Sequence, residues 1–261
     1  MSATSEMTGA VRVVEHHLTV YRRTWKGSMF VSFASPILFL AAIGVGLGSL
    51  IARGPVHSVG GVSYLTFLAP GLLAATAMQT AFVESTYPVM AKIQWLRTYD
   101  GMLATPITVR AVLGGEIGWL VIRLATSACA FFLVMLIFGT VHSALALLMI
   151  PVVVLNGLAF GAPIFAFTAT RRKDKAFPTI GRFIITPLFL LGGVFFPIQQ
   201  LPQVAQGIAW ATPLAHSVVL SRSLAIGGMN PSAVLDLAVL AAYATLGIVA
   251  ASITLPRRLV R

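Results

Sequence analysis

The chain has 261 residues, of which 57% are hydrophobic and 10% charged. Soluble domains carry about 25% charged residues, so this polar inventory cannot cover a water-soluble globule of the same length. The composition excludes a soluble enzyme or binding domain and defines an all-α polytopic membrane protein. Eighteen Lys and Arg against seven Asp and Glu give a net charge of +11. No soluble domain or interleaved aromatic residues accompany the basic clusters, so nucleic acid is not an expected partner. The lone cysteine, Cys129, rules out an internal disulfide framework and a multi-cysteine metal site.

Residues 7–26 carry Met7, Val11, Val14, Leu18, Tyr21 and Trp25 at alternating steps of four and three. This spacing predicts one narrow apolar helical face, flanked by Arg12, Glu15, Arg22, Arg23 and Lys26. Residues 1–28 are thus expected to be a cytoplasmic N-terminus with an amphipathic helix on the membrane interface. A partner-binding or coiled-coil helix is the competing reading.

Six apolar stretches approach the ~20 residues that a crossing requires. They are Met29–Ile51, Tyr64–Glu84, Ile117–Phe138, Ala144–Thr170, Phe183–Phe196 and Ala233–Leu255. The predicted organisation is a six-helix domain over 29–255 and a basic cytoplasmic tail over 256–261. The fifth stretch is the weakest, because Pro187, Gly192, Gly193 and Pro197 interrupt it. Fifteen of the 18 basic residues fall on the side of the two termini, against Arg53 and Arg222 opposite and Arg123 within a stretch. That asymmetry predicts cytoplasmic termini and a multi-pass protein of the inner or plasma membrane.

Between the second and third stretches, Ser85–Glu116 is long beside ordinary helix connections, which suggests a task. Leu96, Tyr99 and Leu103 fall on one predicted helical face, and Thr105-Pro106 stops that helix. A short amphipathic helix of this kind suits docking on a soluble partner. Between the fifth and sixth stretches, Pro197–Ser232 is apolar yet cut by prolines into pieces too short to cross. Ile198, Leu201, Val204 and Ile208 are expected to bury in the outer leaflet or bundle, with Trp210 at headgroup depth. The segment reads as re-entrant helices, with an external loop folded over the bundle as the competing reading.

Catalytic and phosphate-binding motifs are missing. No Gly-Lys dipeptide occurs, so there is no Walker phosphate loop. Glu15-His16-His17 lacks the spacing of a metalloprotease helix, and His57, His142 and His216 fall in separate outer loops. No metal site or catalytic residue is predicted. Arg123 is the deepest membrane charge, seven residues from Glu116 on one helical face, and either pairing with Glu116 or snorkelling is expected. Gly44-x-x-x-Gly48, Gly114-x-x-x-Gly118 and Gly157-x-x-x-Gly161 allow close helix approach.

Short anchors then point to a family. Phe67-Leu68-Ala69-Pro70-Gly71, Leu103-Ala104-Thr105-Pro106-Ile107, Phe195-Phe196-Pro197-Ile198 with Leu201-Pro202, and Trp210-Ala211-Thr212-Pro213-Leu214 resemble the membrane subunit of type-2 ABC exporters. The resemblance covers nearly the whole chain and is nearest to the nodulation-factor (lipo-oligosaccharide) export permeases, then to daunorubicin-type drug permeases. It implies a permease subunit, not an enzyme, that moves an amphipathic or lipid-linked substrate. The implied partners are two copies of a soluble ABC ATPase that holds ATP and Mg, and a second permease subunit, read as a homodimer. It implies no cofactor in this chain. It maps ATPase coupling onto Trp95, Arg97, Asp100, Leu103, Thr105 and Pro106, and an external gate onto Phe195, Phe196, Pro197, Leu201 and Trp210. The alternatives are an intramembrane lipid-modifying enzyme, which needs clustered His, Asp, Glu or Cys, and an ion-coupled carrier, which predicts inverted repeats.

Overall fold

The computed structural model describes residues 3–47, 62–228 and 230–259. Among these residues the architecture is helical. Helix α1 (Ala3–Phe39) widens into π-helical turns over Leu40–Leu47. Helix α2 (Tyr64–Ser85) is followed by the short α3 (Tyr87–Met90), a π-helical turn Ala91–Trp95, and α4 (Thr98–Leu103). Helix α5 (Val109–Ile137) and α6 (Met149–Thr170, after a 3-10 turn at Ala144–Leu148) form the centre. Next come α7 (Ala176–Ile180), a π-helical turn Gly181–Ile185 and α8 (Thr186–Leu191). Helices α9 (Gln203–Trp210), α10 (Pro213–Ile226) and α11 (Ala233–Leu259) complete the chain.

Four continuous helical runs are long and apolar enough to cross a membrane: Tyr64–Trp95, Val109–Ile137, Ala144–Thr170 and Ala233–Leu259. A fifth is added if Glu6–Gly27 and Ser32–Ala42, bent by 44°, count as one. The amphipathic N-terminal stretch and the first apolar stretch are thus one bent helix, and residues 48–51 lie outside the described residues. The expected fifth stretch, Phe183–Phe196, differs most. Its helix runs over Ala176–Leu191, about 24 Å at 1.5 Å per residue, against a hydrocarbon core of about 30 Å. It stops at Gly192 because Gly193 takes φ +79°, a left-handed conformation that favours glycine.

The main core is built from Leu68, Leu72, Met78, Leu124, Phe131, Met135, Met149 and Val218, which join α2, α5, α6 and α10. Two polar side chains inside it donate to backbone carbonyls of α2. Asn156 donates to the Ala74 carbonyl at 2.9 Å, and Thr168 to the Ser85 carbonyl at 2.8 Å. A second core joins Val13, Ile93, Tyr99, Val112, Phe165, Ala169, Ala251 and Leu255 at the end bearing the termini.

Two of the three small-residue motifs serve packing within the chain, and Gly48 of the other lies outside the described residues. Gly114 and Gly118 face Ala10 and Val14 of α1, while Gly157 and Gly161 receive Leu124 and Leu120 of α5. In α11, a Cβ on Gly247 would fall on the ring and backbone nitrogen of Pro163. Gly247→Ala should therefore force α11 from α6 and cost about 1–3 kcal/mol, as overpacking does. A lowered thermal midpoint in detergent checks this, with Gly207→Ala, which meets nothing within 4 Å, leaving the midpoint unchanged.

Candidate functional site

At the end bearing the termini, three segments converge on one carboxylate. Glu116 sits in the second turn of α5 and is buried. His17 of α1 donates from Nε2 to Glu116 Oε1 at 2.9 Å, and Lys92 of the π-helical turn donates to Oε2 at 2.7 Å. Both carboxylate oxygens thus have charge-assisted partners from different elements. Beside them Tyr99 of α4 is fully buried next to Glu116. Burial, then the negative charge of Glu116, holds its ionisation well above the usual phenol range.

The expected Glu116–Arg123 pairing does not form. Seven residues along a helix separate them by about 10 Å of rise, and each has a closer partner on another element. Arg123 donates from Nε to Glu84 of α2 at 2.8 Å. The two ion pairs are bridged by stacked rings: Trp119 lies parallel to His17 at 5.1 Å and edge-on to Tyr21 at 5.6 Å, and Arg123 packs over Tyr21 at 5.0 Å. Charges and aromatics alternate from Glu116 to Glu84.

The segment expected to meet a soluble partner is split. Arg97 adopts φ 49° and starts α4, so Leu96 lies outside the helix that holds Tyr99 and Leu103. The expected single face is therefore absent. Tyr99 turns inward, and Leu103 is partly buried against the second core. Trp95 and Leu96 are 60% and 72% exposed, and Arg97, Asp100, Thr105 and Pro106 are exposed too. Helix α4 ends at Leu103, just before Thr105-Pro106. Arg97 and Asp100 share a cleft with Arg172 and Arg258, so three separated chain segments contribute charge to one surface.

At the opposite end, α8 breaks over residues 192–197. Arg222 of α10 reaches into the break, donating from Nη2 to the Gly193 carbonyl at 2.9 Å and from Nε to the Phe67 carbonyl at 3.0 Å. Its guanidinium lies 3.5 Å from the Phe67 ring centroid. Tyr64 donates to the Phe195 carbonyl at 3.3 Å, and the Phe195 ring meets Phe189 edge-on. Pro197 opens a short 3-10 turn, Ile198–Gln200. Ile198 buries against Ala209 and Ala215 with Leu201 partly buried beside it, whereas Phe196 is partly buried. Val204 and Ile208 remain 78% and 50% exposed, so burial against the bundle holds for Ile198 and in part for Leu201.

His216 was expected in an outer loop. It lies buried in α10, with Nδ1 2.7 Å from Asp236 Oδ1 and Nε2 3.0 Å from the Trp210 carbonyl. Both ring nitrogens thus face oxygen acceptors on neighbouring elements. The Trp210 ring packs on His216 at 5.5 Å, and Ser232 donates to the other Asp236 oxygen at 3.0 Å. Ring and carboxylate tie α9, α10 and α11 together. His57 lies outside the described residues.

Sequence reasoning passed over His17, Lys92, Glu84 and His216. The only available signal was that a carboxylate near an apolar stretch requires a partner, which named the need without the partner.

An all-helical chain with several membrane-length apolar helices and charged clusters at both ends has the form of an integral membrane transport subunit. The chain belongs to the ABC-2 type transporter family, whose description matches residues 12–226. It is 33% identical over 251 residues to nodulation protein J of Rhizobium leguminosarum bv. viciae, covering 94% of this chain and 95% of that one. It is 30% identical over 249 residues to nodulation protein J of Rhizobium meliloti (strain 1021), covering 93% of each. The inner membrane transport permease YadH of Escherichia coli (strain K12) is 28% identical over 206 residues, 76% of this chain and 75% of YadH.

The Glu116 cluster makes a stability prediction. Glu116→Leu strands Lys92 and His17 without their anion and should cost about 3–5 kcal/mol, the usual penalty for removing one partner of a buried pair. Lys92→Met added to Glu116→Leu should recover most of that loss. Thermal midpoints of the three proteins in detergent check both outcomes.

Proposed function

We propose that the chain is the membrane-spanning subunit of an ATP-driven exporter of an amphipathic or lipid-linked substrate, of the lipo-oligosaccharide or drug class. A soluble ABC ATPase would hold ATP and Mg and dock at the end bearing the termini. Two permease copies and two ATPases would form the working complex, in the inner or plasma membrane with both termini cytoplasmic.

The observation that carries this reading is the segment Trp95–Pro106. It leaves Trp95, Leu96, Arg97 and Asp100 exposed, while Tyr99 anchors the same segment in the core beside Glu116. A surface so fixed to the bundle suits transmission of a push. The chain has no phosphate loop, so the energy source lies in a partner. Nodulation protein J and the YadH transport permease, as relatives over most of the chain, support a transport role, and the lipo-oligosaccharide class is what the resemblance of the sequence implies.

The same reading gives the opposite end a gating role. Six crossings would be completed by Ala176–Leu191 together with the broken segment after it. Helix α9, with Val204 and Ile208 on its exposed face, would lie against the outer leaflet. Arg222 would hold the break at Gly193 in shape.

Two outcomes test the reading. Arg97→Asp, Asp100→Lys and Trp95→Ala should each reduce capture of the ATPase or separate ATP hydrolysis from transport, with membrane insertion intact. Leu103 is a poor probe because its partial burial confounds docking with folding. Full transport by all three variants would remove the docking assignment, and the chain purified alone should hydrolyse no ATP.

The gate is tested by single cysteines in a Cys129→Ser background. An impermeant thiol reagent should label position 228 from outside. It should leave Val204→Cys and Ile208→Cys poorly labelled, because lipid covers them. Equal labelling of all three would mean a solvated loop.

A further inference from the structure

A cavity of about 450 Å³ lies between α1, α2 and α5, beginning at the Glu84–Arg123 pair where the Glu116 cluster ends. Three helices present polar groups to it. On α2, Thr76, Gln79, Thr80 and Glu84 recur at steps of three and four from Thr76, the spacing of one helical face. On α5, Arg123 and Ser127 stand one turn apart, and on α1, Ser32 and Ser35 line the same space. Such polar stripes are costly inside membrane helices unless they face a cavity or one another.

Their chemistry is specific. Glu84 and Arg123 neutralise each other at 2.8 Å, and Arg123 is further held over the Tyr21 ring. The remaining groups are neutral hydroxyls and one amide, which both donate and accept. Among the described residues their side chains make no hydrogen bonds. The cavity therefore offers unspent, uncharged hydrogen-bonding capacity with no net charge. A phosphate that pairs with Arg123 must displace Glu84, and an ammonium that pairs with Glu84 must displace Arg123, so either leaves one member of the ion pair uncompensated. A headgroup of many neutral hydroxyls meets neither penalty. The volume falls within the ~300–1,000 Å³ of ordinary small-molecule sites.

We propose that this cavity binds the neutral, polyhydroxylated headgroup of an amphipathic molecule, a saccharide in chemistry, while the attached alkyl chain stays in the bilayer. The proposal rests on the exporter reading for its biological meaning, and it places the substrate's polar half on Gln79, Thr80 and Ser127.

The test uses the full chain in phosphatidylcholine nanodiscs, with no ATPase present. Ser127→Cys in the Cys129→Ser background is labelled with N-ethylmaleimide, with or without dodecyl maltoside or dodecylphosphocholine at equal submicellar concentration. The maltoside should slow labelling by at least about fivefold, the worth of one or two hydrogen bonds, and the phosphocholine should not. Gln79→Leu should abolish the protection, and Thr80→Val serves as a second variant should Gln79→Leu unfold. Absent protection, equal protection by both amphiphiles, or protection that survives these variants would overturn the site. Because no ATPase enters the assay, protection without ATPase capture would leave the site standing and remove the exporter reading. Capture without protection would do the reverse.

Discussion

The buried carboxylate of Glu116 organises the end of the molecule that bears the termini. A carboxylate taken out of water is tolerated only where cations and donors replace the lost hydration. Here the replacement comes from α1 through His17 and from the turn after α3 through Lys92. The charge thus makes the association of three segments obligatory. Removing any one leaves a buried ion without compensation. Because Tyr99 packs in the same region, the position of α4 is fixed by the same condition. The stacked rings of His17, Trp119 and Tyr21 extend this rigidity to Arg123 and Glu84.

The far end follows the same rule with different residues. The chain breaks after α8, and a broken helix leaves carbonyls without partners. Arg222 supplies donors to Gly193 and Phe67, so one side chain stabilises both the break and the early turns of α2. His216 and Asp236 join α9 and α10 to α11. Between the ends α5 and α6 approach closely, with Gly157 and Gly161 admitting Leu124 and Leu120.

Much of the helical layout was legible in the sequence, because long apolar runs register strongly. The second, fourth and sixth expected stretches coincide closely with Tyr64–Ser85, Ala144–Thr170 and the body of α11. The third began eight residues too late. Hydropathy does not register the polar first turns of α5, although Thr108, which caps the Ala111 amide at 3.1 Å, was a readable start signal. The first stretch and the amphipathic segment before it were separated by composition, whereas the backbone carries one bent helix through both. The polar staples were hidden for a different reason. His17 and Glu116 are 99 residues apart, and Arg222 lies 155 residues from Phe67. No local periodicity carries such pairings. Arg97 likewise broke the expected face of α4, since a left-handed residue that is not glycine leaves no mark on a hydrophobic pattern.

The account stands on Glu116 holding α1 and α4 as one body. Spin labels at Val11→Cys and Asp100→Cys, in the Cys129→Ser background in nanodiscs, measure the separation of those helices directly. The account predicts one narrow distance distribution when Glu116 is present and a broadened or shifted one in Glu116→Gln. An identical narrow distribution in both proteins would contradict it, because apolar packing alone would then hold the two helices together.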